Sequence, residues 1–176
     1  MKISALEEYG LRCMLRLARD AGDGNSLTIN EIAEKEGLTV ANARKLLMLL
    51  READLVTSVR GRSGGYVLNG DAAAITLGRI VESLGGRMYD EAFCDRFTGD
   101  VTLCVNSGAC SVRSLWGVLD GLVSGVLNRI SLADLVGDER KVGVSLRDHL
   151  VATIDDIIAR SQKAAPHRHA LPVIEI

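Results

Sequence analysis

The sequence predicts a mainly α-helical chain: a winged helix-turn-helix, then a cysteine-bearing loop, then a long helix. Three observations carry this. Two helical patterns meet at a turn around Gly37, and a glycine-rich hairpin pattern follows them directly. Three of the four cysteines then fall within 17 residues, with nine residues between the first two and five between the last two.

The opening helix is expected over residues 2–21, where Ile3, Leu6, Leu11, Met14, Leu15 and Ala18 recur mostly three and four apart. Cys13 lies among these apolar positions and reads as a buried small hydrophobe. Glu7 and Glu8 stand in the first turns, where carboxylates favour the helix dipole, and otherwise read as solvated surface. Thr28 and Glu31 form a capping box opening the second helix, which stops near Gly37. A third helix runs to about residue 53 on Val40, Ala43, Leu46, Leu47, Leu49 and Leu50.

Residues 55–60 and 66–68 read as strands joined by a turn over residues 61–65. A hairpin directly after the second helix of a helix-turn-helix is a wing, and the pair is a pattern for reading double-stranded DNA. The turn lacks the Gly-Lys-Ser/Thr ending of a phosphate loop and does not run into a helix, so it is no nucleotide cradle. Its three glycines are expected to allow positive φ at the tip. Between residues 40 and 62, Arg44, Lys45, Arg51, Arg60 and Arg62 are opposed only by Glu52 and Asp54. The candidate DNA-contacting residues are Thr39, Ala41, Asn42, Arg44 and Lys45 on the third helix, with Arg60, Arg62 and Ser63 in the wing.

Thr76 caps a further helix that ends at Gly85 and Gly86. Gly99, Asp100, Asn106 and Gly108 break any regular pattern between Cys94 and Cys110, so the three thiols sit on a loop. From about Ser111, Leu115, Leu119, Leu122 and Val126 form a coiled-coil-like seam, extended by Ile130, that expects a partner subunit. Ser131 and Asp134 look like another capped start. A last helix is expected over residues 145–164, carrying a surface His149, before an irregular tail. The divisions are 1–86, a winged helix-turn-helix DNA-binding domain; 87–111, a cluster-binding loop; 112–136, a dimerisation helix and turn; 137–165, a C-terminal helix; and 166–176, a tail.

Composition narrows the class. At 176 residues, with 47% hydrophobic and 25% charged residues, the chain fits one domain with appendages. Only 3% aromatic content argues against a stacking platform for single-stranded nucleic acid. No apolar run approaches the roughly 20 residues of a membrane span. The acidic start does not resemble a signal peptide, so a cytoplasmic protein is expected. There, clustered thiols point to metal or redox chemistry more than to structural disulfides. No Ser/His/Asp or Cys/His constellation suggests an enzyme.

Glu8-Tyr9-x-Leu-Arg12, the helix-turn-helix, the wing through Tyr66, the three-cysteine loop, and Leu115-Trp116 through Leu135 resemble the IscR/NsrR/RirA family of bacterial winged-helix iron–sulfur transcription regulators. The resemblance covers residues 1 to about 136. It implies a homodimer on a palindromic DNA operator, with an iron–sulfur cluster, 2Fe–2S or 4Fe–4S, held by Cys94, Cys104 and Cys110. The IscR branch takes a histidine three residues after the last cysteine as fourth ligand, and here that residue is Arg113. It also spaces its first two cysteines by five residues, and carries glutamate at the position of Arg44, which implies a different operator. The NsrR branch uses a first-helix carboxylate from the partner subunit, and the matching residue here is Glu8. Four-residue spacing allows Arg12 to orient that carboxylate.

The residues by themselves leave other chemistries open. Three thiolates suit iron–sulfur clusters or zinc, although a structural zinc site wants four ligands. A thiol–disulfide switch needs only two of them. The alternative function is a thiol- or metal-based redox or carrier protein that uses its helix-turn-helix for protein contacts.

Overall fold

The computed structural model describes residues 3–20, 25–61, 64–87, 89–90 and 92–163. It contains α1 (Ala5–Asp20), α2 (Ile29–Glu36), α3 (Val40–Glu52), β1 (Val56–Val59), β2 (Gly65–Leu68), α4 (Leu77–Leu84), α5 (Ser111–Leu127) and α6 (Glu139–Lys163). Short 3-10 turns lie at Ala72–Ala74, Cys94–Arg96 and Ala133–Leu135. The expected architecture is present: a mainly helical chain with an antiparallel hairpin as its wing.

Local signals account for most boundaries. Thr28 and Glu31 close the expected capping box at the start of α2. Gly37 ends that helix at φ 66°, a left-handed conformation that glycine adopts without a Cβ penalty. Thr39 and Thr76 cap α3 and α4 through their side chains. A second capping box, not anticipated, opens α1. There Ser4 N–H donates to Glu7 Oε2 at 2.7 Å and Glu7 N–H to Ser4 Oγ at 3.3 Å. Glu7 is therefore a cap rather than idle surface. α6 begins at Glu139, six residues before residue 145, because Asp138 Oδ1 accepts from both Arg140 N–H and Lys141 N–H at 3.1 Å.

The wing pairs Val56 with Leu68 through Val59 with Gly65. Leu27 adds a bridge to it, its N–H donating to Tyr66 O at 3.1 Å and its O accepting from Tyr66 N–H at 2.7 Å. Of the three tip glycines, Gly61 alone takes positive φ. Gly65 serves another need: a Cβ there would stand 2.5 Å from Leu27 O.

The core joins Cys13, Met14 and Leu17 of α1 with Ile32, Leu46, Leu47, Leu50, Leu55, Ile80 and Leu84. Val40, expected among the apolar positions of α3, is exposed. Glu36 is buried on α2 and receives Arg12 Nε at 3.0 Å and Arg16 Nε at 2.7 Å from α1. Ile130 and Leu132 also enter the core. Leu77 N–H donates to Ile130 O at 2.9 Å, and Leu132 N–H to Ile75 O at 2.7 Å. Ile130 therefore does not extend the α5 seam; it plugs the winged unit, because the chain turns away after Asn128. Along α5, Val112, Leu115, Trp116, Val118 and Leu122 remain exposed, Leu115 by 52%. His149 of α6 lies 3.6 Å from Asp134, which also accepts from Ser131.

Candidate nucleic-acid interface and cysteine site

α3 presents Thr39, Ala41, Asn42, Arg44 and Lys45 to solvent. Thr39 Oγ1 accepts from Asn42 N–H at 3.2 Å, so its first role is the helix cap. A groove of about 380 Å³ runs between α3, the start of α2 and the wing, lined by Thr28, Asn30, Val40, Arg44, Ser58 and Tyr66 among others. Among the described residues of its lining, Arg44 is the one cation. Arg60 stands exposed just past β1. Arg62 and Ser63 lie outside the described residues. Thr28, Asn30, Ser58 and Tyr66 were not among the expected contacts. Their only sequence signal is adjacency to the caps and strands that fold around Arg44.

The thiols have distinct settings. Cys94 opens a 3-10 turn, and its Sγ lies 3.7 Å from the Tyr89 phenol oxygen. Cys110 is the N-cap of α5, its Sγ accepting from Arg113 N–H at 3.4 Å. Arg113 also donates through Nη2 to Ser107 O at 3.1 Å. Cys104 lies between them, its carbonyl accepting from Ser107 N–H at 3.0 Å. All three are half-buried. The Tyr89 hydroxyl is held above the usual phenol range, first by its hydrogen bond to Cys94. Cys110 adds to this and Arg113 opposes it, so these groups share one neighbourhood. Cys13 is different: burial, then the charge of Glu36, pushes its thiol up to about 12.

Among the described residues no group of three or more His, Cys, Asp or Glu converges as a metal site. One chain therefore does not assemble the expected set of Cys94, Cys104, Cys110 and Glu8. Glu8 is exposed on α1, at a cleft of about 700 Å³ between α1, α4 and α5. Arg12 does not orient it, because its guanidinium goes to Glu36 and lies 5.5 Å over the Tyr9 ring. The donor chemistry still fits an iron–sulfur group. Three half-buried thiols, soft donors of the kind such groups take, lie on one loop, and the Cys110 sulfur already accepts from an amide at the start of α5.

A solvent-facing helix beside a two-stranded wing defines a winged-helix DNA-binding regulator, here with a thiol-bearing loop running straight into a long helix. The chain belongs to the Rrf2 family: the model for this iron-dependent transcriptional regulator matches residues 3–138. It is 30% identical over 149 residues to the HTH-type transcriptional regulator IscR of Escherichia coli (strain K12 / DH10B), covering 85% of this chain and 88% of that protein. Among solved structures, CymR (YrzC), the global cysteine regulator of B. subtilis, is similar at TM-score 0.61 and 33% identity, covering 77% of this chain and 95% of that one. T. potens IscR is similar at TM-score 0.58 and 25% identity, covering 96% and 93%. The chain is thus a transcription regulator rather than an enzyme. No described helix is long and apolar enough to cross a membrane.

Proposed function

We propose that the chain is a homodimeric regulator whose binding to a palindromic double-stranded operator is controlled by an iron–sulfur cluster, 2Fe–2S or 4Fe–4S. Cys94, Cys104 and Cys110 hold the cluster, and redox state, nitric oxide or iron and cluster supply is the signal. The observation that carries this reading is Cys110, which is at once a candidate ligand and the N-cap of α5. Any change at its sulfur is felt by the helix that α4 packs against. Residues 1–86, completed by Ile130 and Leu132, form the DNA-binding unit. When bound, the cluster supplies a redox-active, ligand-accepting centre. Anaerobic purification with iron and sulfide counting, followed by retention on operator-length DNA, tests the reading. Colourless protein with stoichiometric zinc overturns it.

The exposed apolar face of α5 supports the dimer. A charge there, Leu115→Glu, is expected to convert dimer to monomer in sedimentation and to weaken operator binding sharply. Glu8 completes the ligand set from the partner subunit. A carboxylate oxygen is a hard donor on softly ligated iron, so this position is the first to be displaced. Glu8→Ala is expected to leave the dimer intact, alter the visible spectrum and shorten cluster lifetime. Glu7→Gln is the right control, since glutamine keeps the capping box. An unchanged spectrum and lifetime in Glu8→Ala ends the assignment.

One observation favours a second reading. Cys94, Cys104 and Cys110 are free, half-buried thiols on one loop, and two of them suffice for a thiol–disulfide switch without metal. Disulfide mapping of air-exposed, metal-free protein decides it.

A further inference from the structure

We propose that Tyr89 is a positioning residue for the cysteine site, holding the Cys94 sulfur with its phenol and fixing that sulfur to α5 through its own backbone. The inference rests on the reading of the cysteine loop as the sensing site. Its starting point is Asp120, a carboxylate on α5 that is only 2% exposed. A buried carboxylate persists only when its oxygens are paired. Here Oδ2 accepts from Arg87 Nε at 3.1 Å and Nη2 at 2.5 Å, while Oδ1 accepts from Tyr89 N–H at 3.2 Å.

Those contacts pin the two ends of Tyr89 to different things. Its backbone is tied to the middle of α5, and its hydroxyl lies 3.7 Å from Cys94 Sγ. Its ring packs on Phe93 at 5.1 Å between centroids, so the side chain cannot swing away from the loop without losing that contact. Arg87 lies three residues past the end of α4, a helix that packs on α1 and α3. A movement of the Cys94 sulfur therefore meets both α5 and the unit that carries the recognition helix.

Donation of the phenol O–H draws charge from a thiolate and so favours the reduced form of any cluster bound there. Phe93 stacking alone would make Tyr89 mere packing. Tyr89→Phe separates the two, because it keeps the ring and removes only the hydroxyl.

The test uses the full chain in two states. In metal-free protein, hydrogen exchange at residues 89–97 is expected to quicken several-fold in both Tyr89→Phe and Asp120→Asn, with α1 to α3 unchanged. In protein reconstituted with ferrous iron and sulfide, Tyr89→Phe is expected to shift the charge-transfer bands and move the midpoint potential to a more negative value. Unchanged exchange in both variants overturns the proposal. So does a loosened loop whose loaded protein keeps the wild-type bands and potential, since the phenol then does not act on the sulfur. Failure of the wild-type protein to take up iron and sulfide overturns the cluster reading instead, and the exchange arm still decides the role of Tyr89.

Discussion

Protein purified without oxygen is expected to be coloured, and Cys94→Ala, Cys104→Ala and Cys110→Ala each to bleach it. On the proposed reading the effect is large, because these residues are the soft donors of one loop and losing one would leave the cluster only two thiolates. Cys13→Ala is expected to keep the colour. Its sulfur is fully buried in the core, and burial with the neighbouring Glu36 charge raises its thiol to about 12, so it stays protonated at neutral pH. That substitution costs stability instead, about 1–2 kcal/mol for a small buried apolar group, read from denaturant midpoints. Visible absorption with iron and sulfide analysis of the four variants checks the set. Colour surviving in two of the three loop variants would remove the loop from the site.

Arg44→Ala is expected to reduce operator affinity and to relax preference at one base position. Arg44 is exposed on α3 and lines the groove between that helix and the wing, and the second helix of a helix-turn-helix is the one that enters the major groove. Its guanidinium can bridge the two acceptors of guanine, and loss of such a pair costs about 1–3 kcal/mol. Lys45→Ala, removing a point charge suited to phosphate, is expected to weaken all sequences alike and reduce the salt slope by about one. Binding isotherms at several salt concentrations, on the operator and on single-base variants, separate the two roles. If Arg44→Ala changes neither affinity nor preference, base readout lies elsewhere on α3.

Much of the DNA-binding unit was legible because its signals are local. The Thr28–Glu31 box, the left-handed Gly37 and the Thr39 and Thr76 caps act within one helical turn, so residue type and spacing suffice to find them. The wing was legible for the same reason. The α1 and α6 starts were misread by a few residues because the Ser4–Glu7 box and the Asp138 cap were overlooked, although both are local. The cysteine site was legible as a set of thiols but not as an arrangement. The cap made by the Cys110 sulfur and the Tyr89–Cys94 contact carry no periodic pattern.

By itself the sequence determined the helix order, the wing, the exposed Arg44 and Lys45, and three thiols ahead of a long apolar helix. These follow from hydrophobic period, capping chemistry and turn residues, which act over a few positions. Only the tertiary structure decided the pairings across the chain. Arg12 goes to Glu36, 24 residues away, rather than to Glu8 on its own helix, because a buried carboxylate attracts the guanidinium more strongly than an exposed one. Ile130 fills the core rather than the α5 seam because the backbone beyond α5 is stitched to the segment before α4. Asp120, an ordinary polar position in the helical pattern, becomes a buried anchor because the fold delivers Arg87 and the Tyr89 amide to it from 33 and 31 residues away. Spacing along a chain cannot encode such meetings, since which distant groups share one low-dielectric space is set by how the layers pack.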